Sequence, residues 1–319
     1  MDMKKPYLSV IVPLFNEEHH IALLYNKLKE VISRSGIIYE LIFIDDGSID
    51  KTFDLVMELH KKDKDVRVIR FSKNFGQTLA LSAGFDSANG EVIIAMDGDM
   101  QHDPEDIPLF LSKIEEGYDV VSGWRENRVD AFWSRRLPSM VANKIISWIS
   151  GVKLHDFGTT FKAYKSHTIK NLDLFSELHR FIPALVSVQG ISMTEVPIKN
   201  TARKHGKSKY NLFRVFKVLL DFVVVKYLIS FINSPLKIFG SLGLFMSMAG
   251  IFIDIILIGL FLLGKIANVR DHGGLLLLSV LLVVVGVQFI TVAVIAEISA
   301  KIYHEVKGRK GYAIKFRTD

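Results

Sequence analysis

The chain has 319 residues, a formal net charge of +6, 49% hydrophobic residues and no cysteine. Its mean hydropathy of +0.27 is high for a purely soluble protein and directs attention to a membrane portion, while the missing cysteines exclude a disulfide framework. The modest basic excess lies largely beside apolar segments near the C-terminus, which favours an anionic membrane surface or a phosphorylated lipid over nucleic acid.

The N-terminal MDMKKPYLSVIVPLFNEE has an apolar stretch too short for a signal-peptide core, followed by acidic residues, so the large N-terminal region is expected to stay in the cytosol. Leu8 to Val12 predicts a strand stopped by Pro13, then Asn16-Glu17-Glu18 and an amphipathic helix from about Ile21 to Ser33. Tyr39 to Ile44 predicts a second strand, ending in Asp45-Asp46-Gly47-Ser48, with a helix to about Lys62. Val66 to Phe71 is a third, with Asn74-Phe75-Gly76-Gln77 opening a helix that reaches Ala88. A fourth strand, residues 92–95, runs into Asp97-Gly98-Asp99, and Tyr118 to Ser122 predicts a fifth. Strands alternating with helices imply an α/β fold with a largely parallel sheet, whose ligands gather beyond the carboxyl ends of the strands.

Asp97, Asp99 and Asp103, with the amide of Gln101, follow the fourth strand closely. So many like charges are unfavourable together unless a cation joins them, and an all-oxygen set suits Mg²⁺ or Mn²⁺. The competing reading is a solvated acidic loop in which Asp103 caps a helix starting near Pro104. Asn16-Glu17, Asp45-Asp46-Gly47-Ser48, Asn74-Phe75-Gly76 and Asp97-Gly98-Asp99 each follow an apolar strand, so together they outline one crevice fit for a nucleotide. No GxGxxG or GxxxxGK[ST] stands at these turns, which argues against a dinucleotide site and a P-loop.

VPLFNEE, IDDGSID, NFGQTLALSAG and DGDMQHDP, in that order, resemble the inverting glycosyltransferases of family 2 and, within them, the polyprenyl-phosphate glycosyltransferases such as the dolichyl-phosphate mannose synthases and the bacterial GtrB-type enzymes. The resemblance spans roughly residues 7 to 230. It implies a GT-A, Rossmann-like catalytic domain over residues 1–210, juxtamembrane amphipathic helices at 211–234, a two-helix transmembrane domain at 235–305 and a basic cytosolic tail at 306–319. It also implies that Pro13, Glu17, Asp45 and Asp46 contact the nucleoside, and that Asp97, Asp99 and Gln101 hold the metal and the donor diphosphate.

Beyond the fifth strand, Arg125, Arg128, Arg135 and Arg136 place four guanidinium groups close together. Arginine pairs bidentately with phosphate, so this density suits a phosphorylated acceptor or, alternatively, a face touching lipid headgroups. In the related enzymes the positions matching Arg125, Arg135 and Arg136 line the acceptor-phosphate region. Trp124, Trp133 and Trp148 are candidates for interfacial anchors or for core packing.

His155 to Lys162 resembles the family's DxxxxFR segment, with Lys162 keeping the charge of the usual arginine but not its planar fork. Asp156 is then the candidate catalytic carboxylate. A lipid phosphate is already ionised near neutral pH, so an orienting role competes with that of a base; His155 is expected to be structural. Arg203-Lys204-His205-Gly206-Lys207-Ser208-Lys209 resembles the RxxGxSK loop, through which Arg203 and Lys209 would neutralise the leaving diphosphate. A juxtamembrane basic loop is the plainer reading. Leu212 to Ile232 mixes charged with dense apolar residues, as an interfacial helix does.

Two apolar segments, about Ile238 to Leu263 and residues 275–296, are long enough to span a bilayer. Asp254, the one charge in the first, is expected to pair across helices. Gly240-Ser241-Leu242-Gly243 offers a small-residue face for self-association into a homo-oligomer. Lys226 and Lys237 precede the first span, and Lys301, Lys307, Arg309, Lys310, Lys315 and Arg317 follow the second, against Lys265 and Arg270 between them. That bias puts both termini in the cytoplasm, with the bacterial inner membrane as the expected location. Together with these spans, the resemblance implies metal-dependent, inverting transfer of a hexose, with UDP-glucose as donor, to undecaprenyl phosphate. GDP-mannose transfer to a dolichyl or polyprenyl phosphate is the alternative within the class, and a non-catalytic nucleotide-binding membrane scaffold the alternative outside it.

Overall fold

The computed structural model of the protein describes residues 5–126, 137–170, 178–187, 190–199, 235–265, 272–305 and 312–318, together with 172, 174 and 268. The chain forms two compact units, Met1–Lys226 with Lys310–Asp319, and Tyr227–Arg309.

In the first unit β1 (Leu8–Leu14), β2 (Tyr39–Asp45), β3 (Val66–Phe71) and β4 (Val92–Ala95) run parallel. The near-continuous apolar runs of β1, β2 and β4 are those of strands covered on both faces. Helices α1 (Ile21–Arg34), α2 (Thr52–Lys62) and α3 (Gln77–Ser87) carry the chain back. On α1, Ile21, Leu24, Leu28, Val31 and Ile32 form the buried stripe that its periodicity predicts. Pro13, expected to stop the first strand, instead lies inside β1 opposite Ile44. Pairing with β4 ends at Ile11, so Pro13 sits past the last rung on that side, where its missing N–H is tolerated.

After α4 (Ile107–Glu115) comes β5 (Val120–Trp124), shifted two residues from the expected Tyr118–Ser122. Helix α5 (Leu137–Ser150) precedes β6 (Lys162–Lys165), which runs antiparallel between β4 and β5; α6 (Ser166–Ile169), α7 (Ile182–Ser187) and β7 (Met193–Pro197) follow. Lys162, at the start of β6, lies opposite Ala95 and Ser122. The ends of β1, β2, β4 and β5 and the start of β6 therefore share one edge of the sheet.

The segment expected as a basic tail contributes β8 (Ile314–Arg317), antiparallel to β3, giving the order β7-β5-β6-β4-β1-β2-β3-β8. Val68 N–H donates to Thr318 Oγ1 at 2.8 Å, Thr318 N–H to Val68 O at 2.9 Å and Ser72 N–H to Ala313 O at 3.1 Å.

In the second unit, α8 (Pro235–Leu262) and α9 (Gly273–Glu305) contain Phe239–Leu262 and Gly273–Ser299, each long and apolar enough to cross a bilayer. The helices meet along small residues. A Cβ on Gly243 would lie 2.5 Å from Gly286 O, and one on Gly250 2.6 Å from Ser279 O. Close backbone approach of this kind holds helices together in lipid, which supplies no hydrophobic drive between them. Gly243, expected to serve self-association, is thus engaged with α9 of its own chain. Ser279 Oγ donates to Asp254 Oδ1, the cross-helix pairing expected for that carboxylate.

Candidate active site

The loops at the shared edge are tied together by backbone donors. Asn16 N–H donates to Ser48 Oγ at 3.0 Å, Ile49 N–H to Asn16 Oδ1 at 3.0 Å and Glu17 N–H to Thr52 Oγ1 at 2.8 Å. Asn16 has a φ of 57°, a conformation that short polar side chains tolerate. The Glu17 carboxylate lies 2.8 Å from His20 Nδ1. Asp45 is 1% exposed; its Oδ1 accepts from Ser48 N–H at 3.0 Å, and Arg70 Nε lies 3.1 Å from Oδ2 as an ion pair outside hydrogen-bond alignment. Asp46, also buried, accepts from Phe75 N–H at 2.7 Å and Gly76 N–H at 2.9 Å. Burial pushes its carboxyl above the usual range, and those two donors oppose the shift. Gly47 has a φ of +70°, and a Cβ there would meet the Lys73 carbonyl carbon at 2.5 Å. Glycine lets the β2–α2 and β3–α3 loops touch. Asp45 and Asp46 therefore fix the β2–α2 and β3–α3 loops.

Past β4 the chain turns at Gly98, where a Cβ would meet Leu14 Cδ2 at 2.4 Å. Gln77 Nε2 donates to Asp97 Oδ1 at 2.6 Å and to Thr160 Oγ1 at 3.2 Å, and Gln101 N–H donates to Asp99 Oδ1 at 3.1 Å. Lost hydration pushes the Asp97 carboxyl up, against the opposing pull of Thr160, Arg125 and Lys162. His102 is 2% exposed and stacks on Phe161; its Nδ1 is 3.9 Å from Asp97 Oδ2 and makes no hydrogen bond. Burial pushes His102 down to about 4, which keeps the ring neutral. Asp103 fulfils the plainer expectation: it caps the turn at Pro104–Asp106 through Glu105 N–H and pairs with Lys27 Nζ at 3.1 Å.

Among the described residues no three acidic or histidine side chains converge to hold an ion by themselves. The residues that could hold a metal here are the carboxylates of Asp97 and Asp99, with the Gln101 amide. Remaining positions would fall to diphosphate oxygens and water, the manner in which Mg²⁺ is held at nucleotide sites. This hard, all-oxygen donor set fits Mg²⁺ or Mn²⁺.

Beyond β5, Arg125 donates from Nε to Asp156 Oδ2 at 2.7 Å and from Nη2 to Oδ1 at 3.0 Å, a forked pair. Gly158 N–H adds a third donor to Asp156 Oδ1 at 3.1 Å. From β7, Glu195 accepts from His155 N–H at 2.8 Å and Asp156 N–H at 3.2 Å, and lies 2.8 Å from His155 Nδ1. Trp124 stacks on the His155 ring at 4.5 Å. Arg125 and Asp156, expected to serve the acceptor phosphate and the attack on the sugar, are thus one ionic unit supported from β7.

Lys162 is fully buried and donates to the carbonyls of Phe157, at 3.1 Å, and Thr159. Burial pushes its amine down to about 7, with Asp156 opposing, whereas the unfolded chain keeps a value near 10.5. Between those values the unfolded state binds more protons. The contribution of the buried neutral amine is therefore fully present above the unfolded value and is lost as pH falls through the folded one. Relative to the unsubstituted protein, Lys162→Met is expected to flatten the rise in denaturation midpoint between about pH 7 and 9. An unchanged slope would mean that Lys162 stays charged in the folded protein.

Asp97, Asp99, Gln101, Arg125 and Asp156 thus lie at the same edge as Pro13, Glu17, Asp45 and Asp46. Trp148 is 83% exposed on α5 and so takes no part in the core. Arg128, Arg135, Arg136, Arg203, Lys209, Trp133 and the segment Leu212–Ile232 lie outside the described residues. Sequence reasoning gave no role to Gln77, Thr160, His102 or Glu195. The first three stood inside recognised motifs, and Glu195 stood outside them all.

Residues 9–173 match the family described as Glycosyl transferase family 2. The chain is 37% identical over 313 residues to the dodecaprenyl-phosphate galacturonate synthase of Rhizobium johnstonii, covering 97% of this chain and 92% of that protein. Among solved structures, glucosyl-3-phosphoglycerate synthase from Mycobacterium tuberculosis in complex with Mn²⁺, UDP-glucose and phosphoglyceric acid is similar with a TM-score of 0.53 and 16% identity, covering 70% of this chain and 79% of that one. Its complex with Mn²⁺, UDP and phosphoglyceric acid gives 0.52 and 16%, covering 70% and 78%. These structural likenesses establish the GT-A fold.

Proposed function

The chain belongs to glycosyl transferase family 2 and is a polyprenyl-phosphate sugar transferase; on that premise we propose that it moves a hexuronic acid from a uridine diphosphate donor to a long-chain polyprenyl phosphate. The identity with the galacturonate synthase, sustained over nearly the whole of both chains, carries the choice of an acidic sugar over the glucose expected from sequence.

In this reading the acceptor phosphate oxygen attacks the anomeric carbon in line, the bond to the nucleoside diphosphate breaks and configuration inverts. A single displacement requires no protein nucleophile. Pro13, Glu17 and the Asp45–Asp46 loop border the nucleoside, Asp97 and Asp99 with Gln101 hold a divalent metal, and Arg125, fixed by Asp156, faces the acceptor phosphate. A bound Mg²⁺ or Mn²⁺ supplies charge neutralisation for the diphosphate as it departs. Arg128, Arg135 and Arg136 add cations for the acceptor, and Arg203 and Lys209 for the leaving group. Asp156 orients Arg125; an acceptor that arrives ionised makes no demand for a strong base.

The test incubates the purified full chain and a polyprenyl phosphate with Mn²⁺ or Mg²⁺ and, in turn, UDP-galacturonic acid, UDP-glucuronic acid, UDP-glucose and GDP-mannose, reading the lipid product by mass. Preference for UDP-glucose overturns the acidic-sugar reading and leaves the transferase standing. No lipid product with any donor favours the scaffold.

The basic residues flanking the spans support a site on the cytosolic face of a bacterial inner membrane. The chain has no cysteine, so single cysteines placed at Ser72 and Gly264 report sidedness to an impermeant thiol reagent. In intact cells the first should be protected and the second labelled; the reverse pattern overturns the orientation.

A further inference from the structure

The partners of Asp45 and Asp46 lead back to the last strand of the sheet. Asp46 is held by the N–H groups of Phe75 and Gly76. The Phe75 ring meets Phe71 edge-on at 5.6 Å, and the far side of this aromatic run is Tyr312, stacked on Phe71 at 5.0 Å. Tyr312 is anchored in turn on α3, its hydroxyl donating to Asp86 Oδ2 at 3.0 Å. A second line runs to Asp45: Arg70 pairs with it and lies 4.1 Å over the Phe53 ring, and Phe316 of β8 packs edge-on against Phe53 at 5.7 Å. Ile314 and Phe316 remain 39% and 38% exposed, so β8 adds little to the core. What β8 does contribute is a brace against the elements that shape the β2–α2 and β3–α3 loops.

We propose that the segment Tyr312–Thr318 is a positioning element for the donor nucleotide, with Tyr312 holding the Phe71–Phe75 run and thereby the amides that fix Asp46. This rests on the reading that the Asp45–Asp46 loop borders the donor nucleoside. Tyr312 touches no substrate; it sets the loop that does.

The experiment uses the full-length chain in detergent and compares donor and acceptor kinetics with amide hydrogen exchange. Tyr312→Ala is expected to raise the KM for the nucleotide sugar about tenfold, with kcat and the polyprenyl phosphate KM within about twofold. Exchange at the Phe75 and Gly76 amides should quicken. Tyr312→Phe keeps the stacked ring and loses only the bond to Asp86, so its donor KM should stay within about threefold of the unsubstituted value.

An unchanged donor KM in Tyr312→Ala overturns the proposal, whatever the exchange rates do. Equal rises in both KM values also overturn it, because they mark general loosening. If Tyr312→Ala does not fold, Phe316→Ala replaces it, acting through Phe53 and Arg70, and carries the same expectations. If the unsubstituted chain binds no UDP, the functional reading fails and this proposal with it; that result is seen before any variant is compared.

Discussion

Alanine at position 99 is expected to lower sugar transfer about a thousandfold while leaving the protein folded and in the membrane, the equivalent of about 4 kcal/mol of transition-state stabilisation. Asp97 and Asp99 are the carboxylates assigned to the metal, so removing one takes away half of the protein's anionic ligands just where the diphosphate must leave. The structural cost is small by comparison. Asp99 accepts a local bond from Gln101 N–H, and a bond of that kind contributes about 1 kcal/mol net. The measurement pairs labelled-lipid formation across a Mn²⁺ titration with Mn²⁺ binding by calorimetry in the presence of UDP. Both should collapse in Asp99→Ala with the thermal midpoint nearly unmoved. Near-normal transfer in this variant would sink the metal assignment.

The second large effect concerns the Arg125–Asp156 fork. Breaking a buried ion pair from one side costs about 3–5 kcal/mol when both groups are fully enclosed. The Arg125 side chain is 15% exposed, against 3% for Asp156, so Asp156→Ala is expected to lose about 2–3 kcal/mol of stability, less than the fully enclosed case. Transfer should fall about a hundredfold or more, because Arg125 loses the carboxylate that aims it. Arg125→Lys keeps the charge but has no planar fork to span two oxygens, and should also transfer poorly. The decisive measurement is the double-mutant cycle. Arg125→Ala and Asp156→Ala are expected to combine to less than the sum of their separate effects on transfer, with a coupling of about 1–3 kcal/mol. Strict additivity would mean that each group acts alone, reopening the case for Asp156 as an independent base.

The parallel half of the sheet is legible because β1, β2 and β4 are apolar almost throughout and each ends in a polar cluster. Pairing rules then bring those clusters to one edge. β6 is harder: it starts with a lysine, and a buried Lys162 makes sense only once the Phe157 and Thr159 carbonyls are in place around it. β8 is harder still. Its four residues stand in a basic segment, and the Val68–Thr318 bond joins positions 250 apart.

The same limit governs the site. Carboxylates that follow strands announce themselves, but their partners come from a distance. Gln77 reaches Asp97 across 20 positions, Arg125 reaches Asp156 across 31, and Glu195 accepts from His155 across 40. No local spacing encodes such contacts. Glu195 in particular is a lone acid in a short, only partly buried strand whose role depends on where β5 and β6 have already gone.

The ribosome releases β3 long before it makes β8, and both apolar helices emerge in between. Until then the outer rim of β3 lacks its antiparallel neighbour. Two helices that each crossed a bilayer once would return the chain to the compartment it left, whereas a chain threaded only once would carry Ile314–Arg317 to the other side. Pairing of β8 with β3 therefore requires the chain to enter and leave the helical pair on the same side. A mis-threaded chain keeps a bare strand rim, the surface on which aggregation begins.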